Sequence, residues 1–304
     1  MQVATTRRRR LDQGGEVMGQ AWRVVFLIGL LWQASAPIGD SASQPAARSK
    51  REQLLDLYSS EADRYSICHD ATRRERVERQ REPVFVWTNV LGAGDEYGAV
   101  FVWTYCGRAE VVGTFFSFPE AGKRKLCHEF HSLSLATLDV NRSGPNSWIP
   151  EAPGIELTPI AGAPAPASAA ARRLVQMRAL AHEFSASTKD RKDRPWELRL
   201  LTQPLYRYQS TDPDVLDGAV FAFVTSAGTD PEAVLVVEAR KPPAGGDPIW
   251  HYAVGRFTDQ ALSVRRKGTV VVALPLVPYD APRQDPKKRY TVFFERYIPQ
   301  IEDK

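Results

Sequence analysis

The sequence predicts an α+β fold of two tandem units, each with one helix packed on an antiparallel four-stranded sheet. The order of periodic segments is helix, four strands, linker, helix, four strands. Short connections containing Gly and Pro favour antiparallel hairpins within each set of strands. Both halves also contain Gly-Ala-Val-Phe, at 98–101 and 218–221, where it opens the second strand of each set, so the units are candidates for a duplication. The alternative is a mostly-β sandwich or barrel.

The first unit spans 45–140. Ser49 and Glu52 form a capping-box pattern, and apolar residues follow at helical spacing, which together predict an amphipathic helix over 49–66. Runs of β-branched and aromatic residues then predict four strands, at 83–90, 97–105, 109–118 and 123–135.

The second unit spans 168–276 and follows a connector at 141–167 that is rich in Pro, Ala and Gly. Ser168 is expected to cap the second helix, whose apolar face holds Leu174, Met177, Ala181 and Phe184. The predicted strands are 196–208, 218–225, 233–240 and 249–258, with a fifth at 269–274. Residues 277–304 form a tail rich in Pro and Lys, in which 290–297 is predicted as a sixth strand.

A helix followed by an antiparallel meander buries its apolar stripe across one face of the sheet. This element order is similar to that of cystatin-like folds. The similarity concerns the order of elements alone and implies no function.

Residues 18–36 have the three-part pattern of a secretory signal peptide. Arg23 precedes an apolar stretch at 24–32, and the small residues Ala34, Ser35 and Ala36 follow. The apolar stretch is about half of the roughly 20 residues that a membrane-spanning helix needs. We therefore expect a signal peptide within 1–36 and export to the periplasm or the extracellular space. The alternative is an uncleaved signal that anchors the chain in the membrane, and the start remains open between Met1 and Met18.

The charge of the exported chain is close to neutral. The whole sequence has a formal net charge of +4, and its first 36 residues hold five Arg and two acidic residues, which leaves +1. A near-neutral surface lacks the basic footprint of a nucleic-acid-binding protein, so nucleic acid is excluded as a partner.

The chain has three cysteines, Cys68, Cys106 and Cys127. In an oxidising compartment one pair could form a disulfide in any of three pairings. Three cysteines in a chain of this length do not make a disulfide scaffold, and we expect mainly small buried side chains.

The segment Cys127-His128-Glu129-Phe130-His131 groups three metal-binding residue types, which makes Cys127, His128 and His131 candidate metal ligands. However, the local pattern predicts a strand, in which Cys127, Glu129 and His131 share one face and His128 lies on the other. That alternation favours ordinary polar strand positions over a metal site.

The candidate catalytic residues are His128, His251 and Glu129. The two histidines fall at similar places in the two fourth strands, where acid–base chemistry and simple packing are the two interpretations. No Gly-x-Ser-x-Gly turn, phosphate-binding glycine loop or dinucleotide fingerprint occurs, so no cofactor is predicted. Pairs of catalytic carboxylates have no local signature and stay open.

Adjacent large residues on the first set of strands must face opposite ways. Trp87 follows Val86, and Phe115 precedes Phe116. One member of each pair therefore faces either a second core or a groove for a ligand.

Four stretches, 82–89, 98–103, 196–208 and 217–223, resemble an uncharacterised family of exported bacterial proteins of the planctomycete type. The resemblance touches both β-rich halves. It implies a folded, exported protein and carries no activity, ligand or site.

The absence of a recognisable catalytic set favours a non-enzymatic module of the cell envelope that binds an envelope protein or a small ligand. Membrane contact is expected only if the signal stays uncleaved. The alternative is a hydrolase or isomerase that uses a carboxylate or His128 in a pocket between helix and sheet.

Overall fold

The computed structural model describes residues 48–69, 74–89, 95–144, 148–226, 228–278 and 288–301. The fold is mostly β, with 50% of the described residues in strands and 11% in helices. Its two helices are α1, Lys50–Ala62, and α2, Ala170–Ala181. The predicted capping box of α1 is confirmed, because Ser49 Oγ accepts from the Glu52 amide and the Glu52 carboxylate accepts from the Ser49 amide. The expected cap of α2 is wrong, since its N-cap residue is Ala169, which makes no side-chain hydrogen bond.

The strands are β1 (Tyr65–Cys68), β2 (Arg76–Arg79), β3 (Phe85–Asn89), β4 (Glu96–Tyr105), β5 (Arg108–Glu120), β6 (Lys123–Ser132), β7 (Asp139–Arg142), β8 (Thr158–Pro159), β9 (Phe184–Lys189), β10 (Pro195–Leu200), β11 (Tyr206–Tyr208), β12 (Val215–Thr225), β13 (Pro231–Arg240), β14 (Ile249–Arg256), β15 (Ala261–Arg266), β16 (Thr269–Leu274) and β17 (Tyr290–Ile298).

These strands form two curled antiparallel sheets, each shaped as a half-barrel. The first sheet has the order β17-β6-β5-β4-β2-β1-β7, with β3 also paired to β4. The second sheet has the order β16-β15-β9-β10-β12-β13-β14-β8, with β11 also paired to β12.

The prediction of an α+β fold with two four-stranded, cystatin-like units is therefore wrong. The sheets have eight and nine strands, and the extra ones are short. In β2, for example, Val77 is the only fully buried residue between exposed arginine and glutamate side chains. Such a strand forms because it pairs with its neighbours in the sheet. Its sequence contains no apolar run that would predict it.

Each sheet is buried on both faces. In β4, Ala99, Phe101 and Trp103 pack on the side that α1 covers, whereas Val100 and Val102 face the second sheet. The second sheet repeats this arrangement, with α2 over one face and a core shared with the first sheet on the other. The adjacent aromatic residues follow the same division, since Trp87 lies in the shared core and Phe115 lies under α1.

The two sheets share one pattern of strand pairing. β1–β2, β2–β4, β3–β4, β4–β5, β5–β6 and β1–β7 in the first sheet match β9–β10, β10–β12, β11–β12, β12–β13, β13–β14 and β9–β15 in the second. A β-bulge follows Trp103 in one half and Phe223 in the other. The shared tetrapeptides also match, because Gly98 lies opposite Trp87 and Gly218 lies opposite Tyr208.

The contacts between the halves are reciprocal. The Cys106 carbonyl, in the turn between β4 and β5, accepts from the Thr211 amide at 2.9 Å, shortly after β11. Conversely, the Thr88 carbonyl in β3 accepts from the Thr229 amide at 3.3 Å, in the turn between β12 and β13. Exchange of like contacts is the geometry of a two-fold relation between similar units.

The C-terminal strand belongs to the first sheet, where β17 pairs with β6. The predicted linker at 141–167 and the predicted tail at 277–304 therefore do not divide the chain into one segment for each sheet. The signal peptide predicted within 1–36 lies outside the described residues. No helix in the described ranges has the length and apolar character needed to cross a bilayer.

Gly98→Ala is expected to destabilise the protein by about 1–3 kcal/mol, because an added Cβ would lie 2.2 Å from Trp87 Cε2 in a packed core. The measurement is the free energy of unfolding by denaturant titration. In a Trp87→Ala background the same substitution should cost close to nothing, and an equal cost in both backgrounds would show that the ring is not the constraint.

Candidate functional site

Several acidic side chains line a cavity of about 400 Å³. β5, β6 and β17 form one side of it, and the start of β13 and the chain after β14 form the other. Glu129, Asp230, Glu232 and Asp259 supply its carboxyl groups, and Asp259 forms an ion pair with Arg191 at 3.0 Å. Its remaining wall is largely aromatic, with Phe116, Phe118, Phe257, Tyr290 and Phe294. We call this the acid cavity.

Glu129 stands at the centre of the first-sheet wall. Its carboxylate Oε1 accepts a hydrogen bond of 2.6 Å from the Tyr290 hydroxyl, and only 7% of the residue is exposed. Burial raises the pKa of Glu129 to about 8, against the opposing effect of the Tyr290 hydrogen bond, and the nearby charge of Glu232 adds to the rise. Glu129 therefore holds a proton for much of its time near neutral pH.

Asp230 and Glu232 face Glu129 from the second sheet. Burial, followed by mutual repulsion between acids, raises the pKa of Asp230, and burial also raises that of Glu232. Glu96 in β4 belongs to the same group of charges, and burial raises its pKa to about 7. These carboxyl groups are thus close enough to repel one another, so that ionising all of them costs free energy.

The cations near the acid cavity have other partners. Lys125 Nζ lies 3.3 Å from Glu120 Oε1 and 5.3 Å from the centre of the Phe294 ring. Arg256 donates to the backbone carbonyls of Thr258 at 3.0 Å and Gln260 at 2.6 Å. In the part of the chain that the structure describes, no lysine or arginine forms an ion pair with Glu129, Asp230 or Glu232.

A second cavity, of about 470 Å³, lies at the corresponding place in the other half. The Leu133 amide donates to the Glu110 carbonyl at 2.7 Å, as the Phe257 amide donates to the Glu232 carbonyl at 2.8 Å. Glu110 and Glu232 therefore occupy matching positions, and both line their cavities.

The second cavity has a positive charge at a position where the acid cavity has an acidic group, because Arg108 occupies the position that corresponds to Asp230. Arg108 Nε donates to Glu238 at 2.8 Å and Nη1 donates to Glu110 at 2.8 Å. Burial opposes ionisation of Glu110, but its hydrogen bond with His69 and the charge of Arg108 outweigh burial and lower its pKa. We call this the arginine cavity; its buried acids are neutralised by the protein itself.

The predicted catalytic residues are separated. His128 is fully buried under α1, where Tyr65 Oη lies 2.8 Å from Nδ1 and Phe115 packs at 4.6 Å, and burial lowers its pKa well below the usual value. His251 in β14 pairs with Glu238, and its counterpart in β6 is Cys127, not His128. Of the three candidates, only Glu129 lines the acid cavity.

The candidate metal ligands do not converge. Cys127 and Glu129 line the acid cavity and His128 faces α1, which confirms the predicted alternation of β6. His131 lies on the Cys127 side, beside Gly255 of β14. Among the described residues no three His, Cys, Asp or Glu side chains could hold a metal ion. Cys68, Cys106 and Cys127 are all free thiols, and burial raises the pKa of Cys127 to about 12, so its thiol is unreactive.

The sequence analysis could not pair Asp230 with another carboxylate, and it did not identify Glu232. Both residues follow a turn after β12 and read as ordinary polar residues at the start of a strand. The available sequence signal was an alignment of the two halves, in which Asp230 corresponds to Arg108.

Comparison with protein-family models, with curated proteins and with solved structures finds no match for this chain. The resemblance to exported proteins of the planctomycete type therefore stays a prediction.

We expect the stability of the protein to fall as the pH rises from about 4.5 to about 8 through the contribution of Glu129. Because its folded pKa lies above its unfolded pKa, the folded state holds the extra proton in this window and loses that advantage as the proton leaves. Between pH 6.5 and 8 the loss should be about 1–2 kcal/mol larger in the wild type than in Glu129→Gln.

The measurement is denaturant unfolding at a series of pH values. Restricting it to pH above 6.5 avoids the opposite effect of His131, whose pKa burial lowers to about 4 and which destabilises the fold in acid. Glu197→Gln, which removes a charge from an exposed strand position, should keep the wild-type slope. Equal slopes in the wild type and Glu129→Gln would contradict the expected titration.

Proposed function

We propose that this protein is an exported, non-enzymatic module that binds a small ligand in the acid cavity. The observation that carries the proposal is the set of three cavity-lining carboxyl groups to which no described cation is paired. A cavity of this volume with apolar walls and a few converging polar groups is the usual form of a small-ligand site.

Comparison of the acid cavity with the arginine cavity supports the proposal. Both cavities place a glutamate at the matching position, yet only Glu110 is compensated by a buried guanidinium. Buried acids without a cationic partner lower the stability of a fold when they are ionised. Packing offers no reason to hold Glu129, Asp230 and Glu232 together, whereas a ligand that contacts them does.

Acid–base catalysis is the second candidate function, and one observation favours it. Glu129, with a pKa of about 8, retains a proton near neutral pH and lies in the same cavity as Glu232, which is the combination that a general acid and a base require. Release of nitrophenolate from a p-nitrophenyl glycoside, lost in Glu129→Gln, would support this function. His128 has no part in it, because it is buried beneath α1.

We also infer that the two halves derive from a duplicated unit. The six matching strand pairings, the matching bulges and the reciprocal turn contacts support this inference. Under it, the acid cavity and the arginine cavity began as equivalent sites, and Arg108 and Asp230 mark where they diverged.

The proposal predicts that the matched substitutions Glu232→Gln and Glu110→Gln have opposite effects on stability. Glu232→Gln should stabilise the protein by about 1–2 kcal/mol at pH 8, because it removes a buried charge without a cationic partner. Glu110→Gln should destabilise it by about 2 kcal/mol or more, because it leaves Arg108 partly uncompensated.

Denaturant unfolding of both variants at pH 8 checks this prediction. Glu197→Gln serves as the exposed control and should differ little from the wild type. If Glu232→Gln loses stability as Glu110→Gln does, the acids of the acid cavity serve folding, and the proposed binding function fails.

A further inference from the structure

Lys125, Thr258 and Tyr290 in the wall of the acid cavity carry polar groups that can donate, whereas its carboxyl groups and the Gln260 side-chain oxygen offer hydrogen-bond acceptors. Glu129 accepts a hydrogen bond from Tyr290, and Glu232, which is 7% exposed, accepts one from Thr258 and forms no ion pair among the described residues. Gln260, in the same wall, keeps its Oε1 buried and without a hydrogen-bond partner in the described ranges. A complementary ligand must therefore bring donors.

A metal ion does not satisfy this requirement. No three ligating side chains in the described part of the chain are close enough to share an ion, and the cavity of about 400 Å³ is much larger than one. Its aromatic walls, including Phe116 and Phe257, instead suit the carbon skeleton of an organic molecule.

The arginine cavity shows which donor fits. There, the Arg108 guanidinium joins Glu110 to Glu238 by two hydrogen bonds of 2.8 Å. In the acid cavity the corresponding residue is Asp230, so the acid that matches Glu110 has lost its cation and a further acid has been added. A cation of comparable size brought by a ligand would restore the balance of charge.

We propose that the acid cavity binds a protonated organic amine, whose N–H groups donate to carboxyl oxygens of the cavity while its carbon skeleton packs on the aromatic walls. This inference rests on the proposed binding function and names its ligand class. An ammonium group among buried carboxylates forms charge-assisted hydrogen bonds, and aromatic faces attract it further.

The test uses three probes of similar shape and different charge: benzylamine, benzyl alcohol and benzoate. Each is titrated calorimetrically into the full chain at pH 7.5 and low salt. We expect benzylamine to bind at least tenfold more tightly than benzyl alcohol, a difference of about 1.4 kcal/mol, and benzoate to show no binding.

Two variants test whether the preference for benzylamine arises in the acid cavity. Glu232→Gln should reduce the preference for benzylamine over benzyl alcohol by about tenfold, whereas Glu197→Gln, with the same loss of charge on an exposed strand, should keep it. Benzylamine binding should also release protons, because a bound cation lowers the pKa of the neighbouring acids. The measured heat will then change between buffers of different ionisation enthalpy.

The outcomes separate the ligand class from the site. Equal affinity for benzylamine and benzyl alcohol, or the absence of benzylamine binding at millimolar concentration, overturns the amine proposal. If methyl glucoside binds instead and Glu232→Gln abolishes its binding, the cavity is a binding site for a neutral polyol and only the ligand class is wrong. A loss of stability in Glu232→Gln overturns the binding function itself.

Discussion

The structure depends on one shared apolar core, in which the inner faces of the two sheets bury each other. Val100 and Val102 of the first sheet and Val220 and Ala222 of the second belong to it, and all four are almost fully inaccessible. Because the outer faces pack beneath α1 and α2, the central strands have no solvent-facing side. Every polar group between the sheets must then find a partner within the protein or in a ligand. In the arginine cavity Arg108 forms ion pairs with Glu110 and Glu238, whereas Glu129, Asp230 and Glu232 of the acid cavity form none among the described residues.

The strands that the sequence revealed are those with long apolar runs. β4, β5, β12 and β13 lie close to their predicted positions, since burial on both faces makes them continuously hydrophobic. β1, β2, β9 and β15 were missed because they are four to six residues long and contain no long apolar run. The helices also looked longer than they are: Tyr65 and Phe184, expected on helical faces, begin β1 and β9. The helical spacing of apolar residues extends past the end of each helix, because the first residue of the following strand is also buried and falls at the same interval.

The site was predictable only in part. Alternation along β6 placed Glu129 and His128 on opposite faces, and a single buried strand is enough for that inference. Nothing local joined Glu129 to Asp230 and Glu232, which come from another sheet about a hundred residues later in the chain. The similar places of His128 and His251 were misleading, because the register set by Gly98 and Gly218 aligns His251 with Cys127. Strand register cannot be obtained from strand position alone, and a shift of one residue exchanges the two faces.

The pairing of β17 with β6 has a consequence for the order in which the chain folds. Phe293 and Ile298 belong to the core beneath α1, and the Trp148 indole donates to the Lys288 carbonyl at 2.7 Å. The earlier half of the polypeptide therefore completes its sheet only after β17 has emerged from the ribosome. Until then β6 presents an unpaired edge, and contacts between such distant segments form slowly. A nascent chain with this topology keeps its first sheet incomplete until β17 has been synthesised.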